Sequence, residues 1–198
     1  MTRLVLATRN PGKVAEFERL LAGSPFELES LRQYPEAPEV EETGATYADN
    51  ALAKARAAAL ACGLAALGDD SGLEVDALGG RPGLHSARYS GGGAAENVAL
   101  LLHQLGDTPV AERTARFRCV LAVVWPGGRE LLVDGTSEGT IAAQPRGVGG
   151  FGYDPVFVDP ASGLTFAELP AATKDGLSHR GRACAALRAA IATLAPAS

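Results

Sequence analysis

The chain has 198 residues, 46% of them hydrophobic. That is enough for one ordinary domain or two closely packed lobes, and it excludes a disordered acidic tail protein. A formal charge of −5, from 18 basic and 23 acidic residues with no Lys/Arg block, argues against a protein built to grip a nucleic-acid backbone, while a small metal-neutralised anion is compatible with it.

In chain order, Leu4 to Ala7 reads as a short strand, Thr8-Arg9-Asn10-Pro11-Gly12 as a turn, and Val14, Phe17, Leu20 and Leu21 as the apolar stripe of a helix. Phe26 to Leu31 predicts a second strand. The proline-punctuated acidic stretch Tyr34 to Thr43 has no periodicity and reads as a loop. Thr46 to Cys62 is alanine-rich, with Tyr47, Ala51, Leu52, Ala55, Ala58, Ala59 and Cys62 along one stripe, and predicts a long packed helix. Leu64 to Leu67 and Leu73 to Val75 read as short strands with Asp69 and Asp70 between them, before a turn at Gly79-Gly80-Arg81-Pro82-Gly83.

A helix is expected over 94–105. Ala115 to Trp125 alternates and then turns wholly apolar, as a strand entering the core does; Glu130 to Ser137 pairs with it antiparallel across Pro126-Gly127-Gly128. A last helix opens near Ser178 with Cys184, Leu187, Ile191 and Leu194 buried. The sum is an α/β chain with a mixed central sheet flanked by helices. Cys62, Cys119 and Cys184, odd in number and in apolar surroundings, are expected as buried free thiols. The polar turn at Thr8 comes too soon for a signal peptide and no apolar run reaches the ~20 residues of a membrane span, so a cytoplasmic protein without membrane or nucleic-acid partners is expected.

Four segments carry chemistry. Thr8-x-Asn10-x-x-Lys13 stands where a strand hands over to a helix, so backbone N–H groups, the positive helix end and the lysine can meet an anion. It is not a Walker A loop, because Gly12-Lys13 is followed by Val14. An Asn-Pro-Gly turn with a surface lysine also explains it, Thr8 and Asn10 then merely holding the turn. The pairs Glu41-Glu42 and Asp69-Asp70 could converge on a hard cation such as Mg²⁺, one oxygen ligand from each, leaving a carboxylate to deprotonate water. A solvated loop and an Asp-Ser-Gly turn are the plainer readings. Gly147-Val148-Gly149-Gly150-Phe151-Gly152-Tyr153-Asp154-Pro155 combines backbone freedom with two flat rings, which could stack a base or plug a core. Thr173-Lys174 and Ser178-His179-Arg180-Gly181 offer donors at a helix opening, suited to an oxo group or a phosphate, or else to solvent.

In combination and order, these segments resemble the inosine triphosphatase family, also called dITP/XTP pyrophosphatases. Also matching are Glu41-Glu42-Thr43-Gly44, Asn50-Ala51-x-x-Lys54-Ala55, Asp69-Asp70-Ser71-Gly72-Leu73, Gly79 to Gly83 and Ser86-Ala87-Arg88-Tyr89. The resemblance runs through almost the whole chain and implies a single domain over 1–198, made of two lobes with a nucleotide cleft between them and assembled as a homodimer. It implies Mg²⁺-dependent hydrolysis of ITP, dITP or XTP between the α and β phosphates. By the same resemblance Thr8, Arg9, Asn10, Pro11, Gly12 and Lys13 look like the triphosphate turn, Glu41 and Asp70 like metal ligands, and Asp70 like the acceptor of the water proton. Ser71, Phe151, Gly152, Tyr153, Asp154, Lys174, His179 and Arg180 look like substrate contacts. Which member of each acidic pair touches metal stays open. A pyrophosphatase for modified pyrimidine nucleotides and a non-catalytic nucleotide sensor are the rival readings.

Overall fold

The computed structural model describes residues 2–194. It builds a six-stranded sheet in the order β2-β1-β3-β4-β5-β6, from β1 (Thr2–Leu6), β2 (Phe26–Ser30), β3 (Ala65–Val75), β4 (Thr114–Val124), β5 (Glu130–Ile141) and β6 (Phe157–Val158). The helices are α1 (Pro11–Leu20), α2 (Tyr47–Cys62), α3 (Ala94–Leu105), α4 (Ala171–Leu177) and α5 (His179–Leu194). β1 runs parallel to β2, with Leu4 opposite Leu28, and parallel to β3, with Leu4 opposite Ala65; β5 and β6 are antiparallel. The sheet is therefore mixed, as expected. The link 125–129 between β4 and β5 is too short for a parallel crossover and returns the chain as a hairpin. Among the described residues no helix is long and apolar enough to cross a membrane.

Two compact units divide the chain, one made of residues up to Asp70, Cys119–Gly135 and those from Arg180 on, the other of Ser71–Arg118 and Thr136–His179. In the first, Leu4, Leu6, Phe17, Leu67, Leu121, Cys184 and Leu187 form one buried cluster, with Ile191 packed against it. The expected α5 stripe thus reaches Ile191; the side chain of Leu194 lies outside the described residues. A second cluster joins Val5, Ala66 and Ala122 to Ala51, Ala55, Ala58 and Ala59 of α2. The alanines have a steric reason. A Cβ on Gly68 of β3 would stand 2.1 Å from the Ala51 carbonyl oxygen and 2.9 Å from the Ala55 nitrogen, so α2 lies directly on the strand's backbone. The second unit packs Leu73, Val75, Leu101, Phe117, Ile141, Phe157 and Phe166 into its own core.

One expectation is overturned. Asp69 and Asp70 do not sit between two short strands: Ala65–Val75 is a single strand of 11 residues that carries both. Two adjacent acids look like a strand break only until their partners are counted, because charges can be buried in a strand when each is paired.

Candidate functional site

In the first unit the site begins with alternation along β3, which turns Asp69 and Asp70 to opposite faces. Each is 4% exposed. On the Asp69 face, Lys13 Nζ lies 2.6 Å from Oδ2, Arg180 Nε 3.6 Å from the same oxygen, and the Cys119 thiol donates to Oδ1 at 3.2 Å. Arg180 also pairs with buried Glu16 at 3.0 Å. Burial pushes the Asp69 carboxyl up, but Lys13 and Arg180, with Lys54 farther off, outweigh it and hold the group well below the ordinary carboxylate value. The Cys184 thiol is pushed up to about 12 by burial, with the Asp69 charge adding, and is inert at neutral pH. All three cysteines are free and Cys119 and Cys184 are buried, as expected, but Cys62 is only half-buried.

The Asp70 face is different. Asn50 Nδ2 donates to Oδ2 at 2.9 Å, and Lys54 Nζ stands 3.5 Å from Oδ1 and 2.7 Å from Glu42 Oε1. Here burial raises the Asp70 carboxyl, Lys54 and Asn50 oppose that only in part, and the charges of Glu42 and Asp69 add to the rise. Lys54 itself is raised: burial works against its charge, yet Asp70, Asp69 and Glu42 outweigh burial. The two neighbouring carboxyls are thus shifted in opposite directions, Asp69 down and Asp70 up. Glu42 is the member of its pair drawn to Asp70 through Lys54, while Glu41 is exposed.

Thr8, Asn10 and Pro11 build the turn. Asn10 caps α1, its Oδ1 accepting from the N–H of Gly12 at 2.9 Å and of Lys13 at 3.3 Å, with Pro11 at the first helical position and Thr8 Oγ1 accepting from Asn10 N–H. Arg9 reaches away to donate to the Ala37 carbonyl at 2.9 Å. The capped α1 start aims Lys13 at Asp69.

In the second unit Asp154 Oδ2 accepts from the Phe151 N–H at 2.8 Å and from Lys174 Nζ at 2.6 Å, with the ammonium also 5.2 Å above the centre of the Phe151 ring. Gly150 adopts a left-handed φ of 68° and an added Cβ would come within 2.0 Å of Asp154 Oδ2, so the carboxylate can fold back only over a glycine. Tyr153 is a core plug whose hydroxyl donates to the Ser86 carbonyl at 2.9 Å and whose pKa burial raises, whereas Phe151 is half-buried beside Lys174. Gly152 follows Phe151 with a φ of 65°. The His179 ring stacks on Phe117 at 4.6 Å and 14°. Ser71 continues β3 and is half-buried.

Sequence reasoning left Asn50, Lys54, Glu16 and Cys119 without roles. The i, i+4 spacing of Asn50 and Lys54 was the available signal, since it sets both on one helical face.

The sequence pattern of the Ham1 family matches residues 4–190. A dITP/XTP pyrophosphatase of Geobacter sulfurreducens is 54% identical over 190 residues, covering 95% of this chain and 96% of that protein. One from Symbiobacterium thermophilum is 56% identical over 183 residues, covering 92% and 91%. The structure of a HAM1 protein from Coxiella burnetii superposes with a TM-score of 0.87 at 39% identity, covering 98% of this chain and all of that one, 100%. With the pattern matched from β1 into α5 and the relatives alike from end to end, the chain belongs to the Ham1 family.

Proposed function

We propose that the protein hydrolyses deaminated purine nucleoside triphosphates, ITP, dITP and XTP, between the α and β phosphates, giving the monophosphate and pyrophosphate. The observation that carries this reading is a pair of adjacent buried acids, Asp69 against Lys13 at 2.6 Å and Asp70 against Asn50 at 2.9 Å and Lys54 at 3.5 Å, in a chain 54% identical over 190 residues to a dITP/XTP pyrophosphatase. Lys13, at the capped start of α1, binds the triphosphate together with the turn 8–12. Asp70 accepts the proton of the attacking water, its carboxylate held in direction by the Asn50 amide at 2.9 Å. Catalysis of this type is mostly positioning and charge neutralisation, and both lysines supply charge.

The donor set fits a hard divalent ion. Glu42 and Asp70 already share one cation, the Lys54 ammonium, through oxygen atoms, and Mg²⁺ typically takes one or two carboxylates and fills the rest from water and phosphate. Among the described residues no three His, Cys, Asp or Glu side chains gather, so phosphate and water oxygens would have to complete such a site. Asp70 and the Glu41-Glu42 segment would hold Mg²⁺, which when bound neutralises charge on the phosphoryl oxygens.

For the base, the proposed contacts are Ser71, Phe151 to Asp154, Lys174, His179 and Arg180. N–H donors of this set match the 6-oxo group of hypoxanthine or xanthine; adenine presents an amino group there and leaves them unpaired. Arg180 does this with a guanidinium that also holds Glu16 and Asp69. The reading includes one functional domain, a homodimer, which light scattering on the purified protein tests, and a cytoplasmic location, where its nucleotide substrates are.

The deciding experiment is pyrophosphate release from ITP, XTP, GTP and ATP with Mg²⁺ and with EDTA. Fast, metal-dependent release from ITP and XTP alone is expected. No release from any of the four overturns the reading in favour of a sensor or a pyrimidine enzyme.

A further inference from the structure

Asn50 is 2% exposed and stands in the first turn of α2, behind the capping box made by Thr46 and Asp49. Both ends of its amide are in use. Oδ1 accepts from the Gly44 N–H at 2.7 Å and Nδ2 donates to Asp70 Oδ2 at 2.9 Å. The orientation is forced: a backbone N–H can meet only the amide oxygen, and an ionised carboxylate only the NH₂ group. The approach to Gly44 is close as well. A Cβ there would lie 2.7 Å from Asn50 Oδ1 and 2.6 Å from the Asp49 Cβ, so the segment that carries Glu41 and Glu42 docks on α2 through a residue without a side chain.

We propose that Asn50 is a positioning residue for the hydrolysis, one amide that fixes the direction of the Asp70 carboxylate and the docking of the Glu41–Gly44 segment together. Glu42 and Asp70 come from two separate chain segments, and Asn50 and Lys54 of α2 are bonded to both. Lys54, one turn farther along, makes the second link, to Glu42 and Asp70, but as a mobile point charge; Asn50 is the short, directional one. The inference rests on the activity proposed above and adds a residue that touches neither phosphate nor base.

The test compares wild type, Asn50→Ala, Asn50→Asp, Asp70→Asn and the double variant Asn50→Ala/Asp70→Asn for pyrophosphate release from ITP, with amide exchange at Gly44 followed by NMR. Asn50→Ala should lower kcat about 10- to 100-fold while KM moves less than about 3-fold, the pattern of a displaced group rather than lost binding. Against Asp70→Asn the same change should cost less than about 2-fold, because it acts through Asp70. Asn50→Asp keeps an acceptor for Gly44 but not the donor; it should preserve slow Gly44 exchange and lose kcat, and it stands in should the alanine variant not fold. Equal losses in both backgrounds, or Asn50→Asp turnover within about 2-fold of wild type, overturns the inference. A wild-type protein that releases no pyrophosphate sinks the underlying activity, a result distinct from an active wild type indifferent to residue 50.

Discussion

Lys54 Nζ lies 2.7 Å from Glu42 and 3.5 Å from Asp70, so one ammonium on α2 balances acids from two separate segments. Lys54→Met removes the charge and keeps much of the stem. Because Lys54 opposes the rise of the Asp70 carboxyl, its loss should push that group further up and move the acid limb of the rate–pH profile to higher pH. A fall in kcat/KM of about 10²-fold is expected; an unmoved acid limb would show that Lys54 does not act on Asp70.

Asp70→Asn should lower turnover by about 10²–10⁴-fold with the melting temperature little changed, as for loss of a positioned base. Turnover close to wild type would remove Asp70 from that role.

Lys13→Ala should raise KM for the triphosphate and also lower thermal stability, since the partner it abandons, Asp69, is buried. Withdrawing one partner from a buried pair costs about 3–5 kcal/mol, and Arg180 retains part of the compensation here. Kinetics and a thermal melt on one preparation separate the two effects. An unchanged KM together with an unchanged melt would make the lysine ordinary surface charge.

Acid should act through Asp69. Its native pKa is depressed, so its contribution to stability is complete above the ordinary carboxylate value of about 4 and is lost as pH falls through the lower native value. Urea unfolding of wild type and Asp69→Asn should therefore show a gap at pH 7 that narrows below about pH 4. A gap independent of pH would assign the effect to shape rather than charge.

In the second unit Asp154 is shared between Lys174 and the Phe151 N–H. Asp154→Ala should release both, raising KM for ITP about 10-fold or more and narrowing the preference for ITP over GTP. If only stability falls and the ITP-to-GTP ratio holds, the pair supports the fold without reading the base.

The strand–turn–helix around Asn10 could be read in the sequence because every signal for it is local: apolar run, Asn cap, proline at the first helical position. The apolar half of β4 and the span of α3 were legible for the same reason. The single strand through Asp69 and Asp70 was not. Its partners Lys13, Lys54 and Arg180 are remote in sequence, and without them two adjacent acids read as a break. The short α4, with Gly176 inside it, and the two-residue β6 carry too few residues for any period to register. Arg9 and Asn10 were legible as a motif but not as neighbours: one side chain holds the loop at Ala37, the other its own helix.

The missing side chain at Gly68 acts as a spacer gauge. Since α2 rests on bare backbone there, the reach of Asn50 and Lys54 toward Asp70 is measured from a surface with no give. One methyl group added at that point would lift the helix and retract both side chains together. The gauge lies within the alanine layer of the core, on the same strand as Asp70 and two residues before it, so a substitution sought for tighter packing could detune the chemistry without altering a single group in it.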